Sequence, residues 1–230
     1  MTEKVFNNIE FDFDYEVFSK KIDLEKYKSM EHEVEAFIDK AIPKVQPKAI
    51  YRVSYVDDRQ EETVVIEGTN FESKILTEKL KNIERVFPFI ATCGQELEDL
   101  QKNENDQLKI YWIEKLKEMA LNSTTVHLSK FIKDKYKIDQ ISSMNPGSAD
   151  KEVWPLEQQQ QFFSLFNDVT QKIGVKLTES HLMIPNKSVS GIYFPSDQNH
   201  INCEYCTRED CPSRRAPHDP GKWEEKDKIS

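Results

Sequence analysis

The stretch "INCEYCTREDCPSRRAPHDP", residues 201–220, holds three of the chain's four cysteines, Cys203, Cys206 and Cys211, in a C-x2-C-x4-C array. Spacers this short let a chain wrap one metal ion or cluster while the intervening amides turn toward the sulfurs. Cys93, in "ATCG", is the remaining cysteine and completes a set of four thiolates. Such a set accepts a structural zinc or a 4Fe-4S cluster, and the ligand count alone does not choose. Structural zinc commonly uses two C-x2-C pairs, and here there is one; Pro212 follows Cys211 as a proline follows a ferredoxin cluster ligand. On the residues alone a 4Fe-4S cluster and a zinc ion both stay open. His200 and His218 flank the array and stand in as ligands if Cys93 lies too far away. Arg208, Arg214, Arg215 and Lys222 share the segment, either offsetting thiolate charge or forming a solvated surface.

A metal rather than a disulfide follows from the compartment the chain implies. The formal net charge is -9 and the pI about 5.2, which disfavours nucleic acid and anionic lipid as partners. No apolar run approaches the length of a membrane span, and "MTEKVFNNIEFDFDYEVF" is acidic where a signal peptide is basic and then apolar. The expected location is the cytoplasm, where thiols stay reduced. The chain has no G-x-G-x-x-G, Walker loop, H-E-x-x-H or nucleophile elbow.

Several elements must position these groups. "EHEVEAFIDKAI" puts Val34, Phe37, Ile38 and Ile42 on one helical face, and Pro43 and Pro47 then break the helix. "AIYRVSYVDDRQEETVVIEG" reads as a hairpin and "SKILTEKLKNI" as a short amphipathic helix. "FPFIAT" is a buried strand that runs through Cys93 into a turn at Gly94 and then a helix. The longest periodic stretch, "DQLKIYWIEKLKEMALNSTTVHLSKFIKDKY", aligns Trp112, Leu116, Met119, Ser123, His127 and Phe131, so His127 is expected in the core. Phe162, Phe166, Val169 and Ile173 mark another helix, and "VKLTESHLMIPNKSVSGIYF" reads as two strand-like runs joined by a Pro-Asn turn. The organisation is an N-terminal helical extension over 1–45, a main domain over 46–200 and a cysteine-rich metal-binding tail over 201–230.

The run "IGVKLTESHLMIPNKSVSGIYF" at 173–194, with "NPG" at 145–147 and "ATCGQELEDL" at 91–100, resembles the reactivation (activation) domain family of cobalamin-dependent methionine synthase. It looks closest to the stand-alone members that end in a cysteine-rich tail. The resemblance implies an α+β fold with a bent, largely antiparallel sheet and flanking helices. It also implies a domain that caps a cobalamin module after cob(I) has been oxidised to cob(II), holding S-adenosylmethionine so that one-electron reduction is trapped by methylation. On that likeness Glu179, Tyr193, Asn145 and Gly147 are the ligand-binding positions. The family's arginine four residues ahead of the loop glycine and its tyrosine directly after it correspond here to Ser143 and Ser148, so the methyl donor's carboxylate loses its charged partner. The lower-ligand signature D-x-H-x-x-G is absent, and any corrinoid comes in on another protein.

The expected function is an accessory protein that docks on a corrinoid protein or core methionine synthase. It supports reductive reactivation of the partner's cobalamin through its iron-sulfur cluster, fed by an upstream low-potential electron donor. Two alternatives stand beside it: an S-adenosylmethionine-binding reactivation protein with a structural zinc tail, and a noncatalytic module that binds or chaperones a corrinoid protein.

Overall fold

The computed structural model describes residues 3–148, 153–196, 202–211, 214 and 216–221. In chain order the elements are β1 (Glu3–Phe6), α1 (Tyr15–Lys21), α2 (Glu31–Ala41), β2 (Lys48–Arg52), β3 (Ser54–Arg59), β4 (Thr63–Ile66) and β5 (Thr69–Glu72). There follow α3 (Lys74–Lys79), β6 (Arg85–Thr92), α4 (Gln95–Lys102), α5 (Gln107–Tyr136) and β7 (Ile141–Met144). The last are α6 (Gln159–Ser164), α7 (Val169–Ile173), β8 (Lys176–Leu177), β9 (Met183–Ile184) and β10 (Ser188–Pro195), before a short 3-10 turn over Asn202–Tyr205.

All paired strands are antiparallel, and β6 is the spine of the main sheet. Strand β10 lies along one side of β6 and carries β7 on its outer edge. On the other side β2 pairs with the Phe89–Thr92 half of β6 and β3 with Arg85 and Val86. The run that reads as one hairpin arm is thus two strands broken at Val53. Pro88, which has no N–H to give a ladder, lies between the two paired halves of β6 and accounts for the break. From there the sheet splits into two wings, β2–β1 and β3–β4–β5; it is an antiparallel sheet with flanking helices, as the resemblance implies.

Strand alternation sends the two sets of apolar side chains to opposite faces. Ile50, Ile90, Ile192, Phe194 and Met144 pack with Trp154, Phe162, Leu165 and Phe166. Tyr51, Phe87, Phe89, Ala91 and Tyr193 pack under Leu128 and Ile132 of α5. Because both faces are covered, β6 is buried from Val86 to Thr92 and reads as a continuous apolar run. A third core joins α1, α2, α4 and the first half of α5 through Phe18, Val34, Phe37, Leu97, Trp112 and Leu116.

Four sequence expectations change. In α5 the buried face runs through Leu116, Ala120, Thr124, Leu128 and Ile132, and His127 is exposed, its ring edge-on to Phe6 at 5.7 Å between centroids. Ser123, His127 and Phe131 each precede Thr124, Leu128 and Ile132 of the buried row by one position, about 100° around the helix, and so leave the buried face. The expected helix over Phe162–Ile173 is two helices, α6 and α7, separated where Asp168 takes a left-handed conformation and its carboxylate caps Gln171 N at 2.9 Å. The N-terminal segment is not solely helical, since Glu3–Phe6 supplies the strand beside β2. The first of the two runs at 175–194 is itself a small hairpin, β8–β9.

Candidate functional site

The motifs "NPG" and "SGIYF" meet at the edge of the sheet. Tyr193 pairs with Ser143 and Ile192 with Met144, so β7 delivers Asn145 to the side of β10. The Asn145 amide, half-buried, donates from Nδ2 to Ser190 O at 2.7 Å. Gly191 permits this approach: a Cβ there would stand 2.2 Å from Asn145 Nδ2 and 2.6 Å from Met144 O. Asn145 O in turn accepts from Ser148 N at 3.2 Å and Ser148 Oγ at 2.9 Å, closing the loop. Gly147 sits at φ +72°, donates to Trp154 O at 2.9 Å, and leaves no room for a side chain beside Leu156. Beneath the loop, Ser190 Oγ donates to Gln159 Oε1 at 2.6 Å, both residues being buried. Ser190, Gly191 and Gln159 carry no motif of their own in the sequence; the "SVSG" spacing beside "NPG" is the available signal.

Tyr193 is 7% exposed, with its ring stacked on Phe89 at 4.0 Å and 12° and its hydroxyl donating to Thr125 O of α5 at 3.4 Å. Glu179 lies elsewhere in character, exposed in the β8–β9 turn. That turn is tied by Thr178 N to Leu182 O at 2.8 Å and by Leu182 N to Thr178 Oγ1 at 3.0 Å, with His181 at φ 61°. Of the four ligand positions the likeness implies, Asn145 and Gly147 share one loop, Tyr193 is built into the core beneath α5, and Glu179 is on a surface turn. An open cleft of about 520 Å³, lined in part by Arg85, Tyr136, Lys137 and Asp139, lies at the Gln140 end of the β7–β10 ladder, opposite Asn145.

The cysteines fall in two places. Cys93 ends β6 at 0% exposure, in the core with Phe18, Leu97 and Trp112. Its Sγ donates to Gly94 O at 3.6 Å. Burial pushes the thiol up to about 12, against the nearby charge of Lys117, and the carboxylates of Glu98 and Glu114 push the same way. Lys117 is fully buried, which the sequence does not show, because a lysine in an amphipathic pattern counts as surface. Its Nζ donates to Glu98 Oε2 at 2.8 Å and Gln101 Oε1 at 2.7 Å and lies 3.3 Å from Glu114 Oε1. Glu114 also accepts from Asn186 Nδ2 at 2.9 Å and pairs with Lys187 at 3.3 Å, tying α4 and α5 to the loop that leads into β10.

Cys203, Cys206 and Cys211 are half-buried on a loop fastened to the other core. Between them Tyr205, 4% exposed, packs in the cluster of Ile192, Phe194 and Trp154. Cys206 N donates to Cys203 O at 3.2 Å, and the Arg214 guanidinium gathers the turn from inside. Arg214 Nη1 donates to Cys203 O and Ala216 O, each at 3.1 Å, and Nη2 to Cys206 O at 3.1 Å and to Arg208 O. The chain then returns, with Asp219 N donating to Glu204 O at 2.9 Å, and His218 Nε2 is buried with no hydrogen-bond partner. Among the described residues no three His, Cys, Asp or Glu side chains are grouped as metal ligands. Cys93 belongs to the α1–α2–α4–α5 core and Tyr205 to another, so a four-thiolate set including Cys93 does not fit this arrangement. His200, Pro212, Arg215 and Lys222 lie outside the described residues.

Residues 124–211, which contain "NPG", "TES" and "SGIYF", match the family described as "Vitamin B12 dependent methionine synthase, activation domain". No curated protein sequence matches the chain. Among solved structures it is similar to the one titled "Crystal Structure of the MetH Reactivation Domain bound to AdoHcy", at 16% identity and a TM-score of 0.63, over 88% of this chain and 81% of that one. At that identity the likeness is one of fold.

Proposed function

Because residues 124–211 match the activation-domain family of vitamin B12-dependent methionine synthase and most of the chain has that domain's fold, we propose that this protein docks on a corrinoid protein or core methionine synthase and supports reductive reactivation of its cobalamin. The observation that carries the reading is the Asn145 amide bonded to Ser190 O, which joins the two family motifs in one rigid edge. Rigid strand and turn elements hold a docking surface better than free loops. No helix among the described residues is long and apolar enough to cross a membrane. A cytoplasmic location is part of the proposal and suits a partner that must be kept reduced.

Reactivation adds one electron to cob(II) to give cob(I), and a low-potential donor upstream supplies it. The reading does not route that electron through a cluster on this chain, because Cys93 is committed to the core. S-adenosylmethionine is a weak ligand in this reading: the similar solved structure is titled as bound to AdoHcy, whereas by the sequence resemblance Ser143 stands here where a carboxylate-binding arginine is expected. A neutral hydroxyl cannot replace a charge-assisted, bidentate contact.

The test is anaerobic mixing with a cobalamin-loaded core methionine synthase poised as cob(II), with a low-potential chemical reductant. Complex formation and faster recovery of methyltransferase activity are expected. Complex formation without faster recovery would make the protein a noncatalytic binding or chaperone module, and no complex at all would overturn the docking reading.

A further inference from the structure

The cysteine loop is organised before any metal is considered. Tyr205 roots it in the core, and Arg214 turns the carbonyls of Cys203, Cys206, Arg208 and Ala216 toward one guanidinium. The Asp219–Glu204 main-chain bond folds residue 218 back onto the Cys203–Cys206 turn. There His218 Nε2 is withdrawn from water without a partner, an expense a protein normally avoids by giving the nitrogen a donor, an acceptor or a metal.

We propose that Cys203, Cys206, Cys211 and His218 bind a single zinc ion, with Cys93 outside the set. The side chains do not stand gathered on one point, and zinc draws them in; what is preset is the Cys203–Cys206 turn held by Arg214 and the Asp219–Glu204 main-chain bond. Three thiolates and one imidazole are an ordinary tetrahedral zinc set, and residues 203–218 supply all four. A 4Fe-4S cluster takes one cysteine per iron, and the fourth cysteine is in the wrong core. On binding, the three thiols release their protons to solvent and the neutral imidazole gives its Nε2 lone pair. Zinc with three thiolates carries one net negative charge, which the Arg214 guanidinium beside the loop offsets while fixing the turns that hold the ligands. The site fastens the C-terminal loop onto the face that β10 shares with Trp154. The inference stands apart from the corrinoid reading, because metal uptake is measured without a partner.

The test uses the full chain, stripped of metal under reducing conditions and titrated with Zn2+, or with Co2+ as a coloured reporter. One equivalent is expected, with cobalt bands of a tetrahedral thiolate site. Cys93→Ser should bind as the wild type does. Cys206→Ser and His218→Gln should each lose about a hundredfold or more in affinity, with far-ultraviolet dichroism showing that the body stays folded. His218→Cys should restore binding, with cobalt bands moved toward those of four thiolates. Absence of stoichiometric uptake by the wild type would overturn the proposal. So would binding lost in Cys93→Ser but kept in His218→Gln, or purified protein that carries iron in place of zinc.

Discussion

Tyr193 and Ser143 are cross-strand partners on the β10–β7 ladder, and the tyrosine ring is clamped between that pairing and a stack on Phe89 at 4.0 Å. If, as the sequence resemblance implies, Ser143 stands where a methyl-donor arginine is expected, a small hydroxyl sits there next to a fixed aromatic ring. The missing charged hydrogen bond corresponds to about 1.5–3 kcal/mol, or roughly tenfold to a hundredfold in affinity. Calorimetry should find S-adenosylmethionine binding weak or absent, and Ser143→Arg should strengthen it. A low-micromolar dissociation constant for the unaltered protein would refute this.

The contact between Asn145 and β10 predicts a coupled pair of variants. Gly191→Ala sets a methyl group 2.2 Å from Asn145 Nδ2 and 2.6 Å from Met144 O, and overpacking of this kind costs about 1–3 kcal/mol. Asn145→Ala removes the donor to Ser190 O and costs a similar amount. Since the two changes act on one contact, the double variant should lose less than the two losses added together, as read from urea unfolding. Strict additivity would show that the loop and strand are not mechanically joined.

The fold was legible wherever local pattern and tertiary environment agree. "FPFIAT" reads as a buried strand because a strand covered on both faces shows no alternation, but for the same reason the run cannot tell which face, or which core, its end will join. A count of thiols accordingly groups Cys93 with the others, whereas at the end of β6 it packs with Leu97 of α4. His127 is misplaced because the periodic row through it lies one position, about 100° around α5, from the row Thr124, Leu128 and Ile132 that the sheet covers, and Lys117 because burial of a charge depends on Glu98 and Glu114 arriving from two helices. The break at Val53 was written in Pro88, more than thirty positions along the chain, and is seen only once the strands are paired.

The Lys117 cluster predicts how stability responds to acid. Burial pushes the Glu114 carboxyl up, but hydrogen bonds from Asn186 and Gln101 and the charges of Lys117 and Lys187 together outweigh it and hold it at about 2, against an ordinary value of 4.5. A folded-state value below the unfolded one means that the carboxylate stabilises the fold fully above pH 4.5 and that this contribution fades as the pH falls toward 2. The depression corresponds to roughly 3 kcal/mol at most. Glu114→Gln should be less stable than the parent at pH 6, and the difference should shrink by pH 3. A gap that stays constant across that window would mean that the contacts matter by shape rather than by charge.

Cys93 separates from its fellow cysteines by reactivity as well as by place. With its thiol pushed up to about 12 by burial, only on the order of one molecule in ten thousand carries the thiolate at pH 8, and the sulfur has no path to solvent. In metal-free protein a disulfide reagent should label Cys203, Cys206 and Cys211, which are half-buried, and should reach Cys93 only when urea opens the body. Cys93→Ala should leave the fast-reacting thiols unchanged in number, while Cys93→Ser should cost more stability than Cys93→Ala because it buries a hydroxyl where an apolar neighbourhood offers only Gly94 O as acceptor. Rapid labelling of all four thiols in the folded chain would place Cys93 at the surface and restore the four-thiolate site.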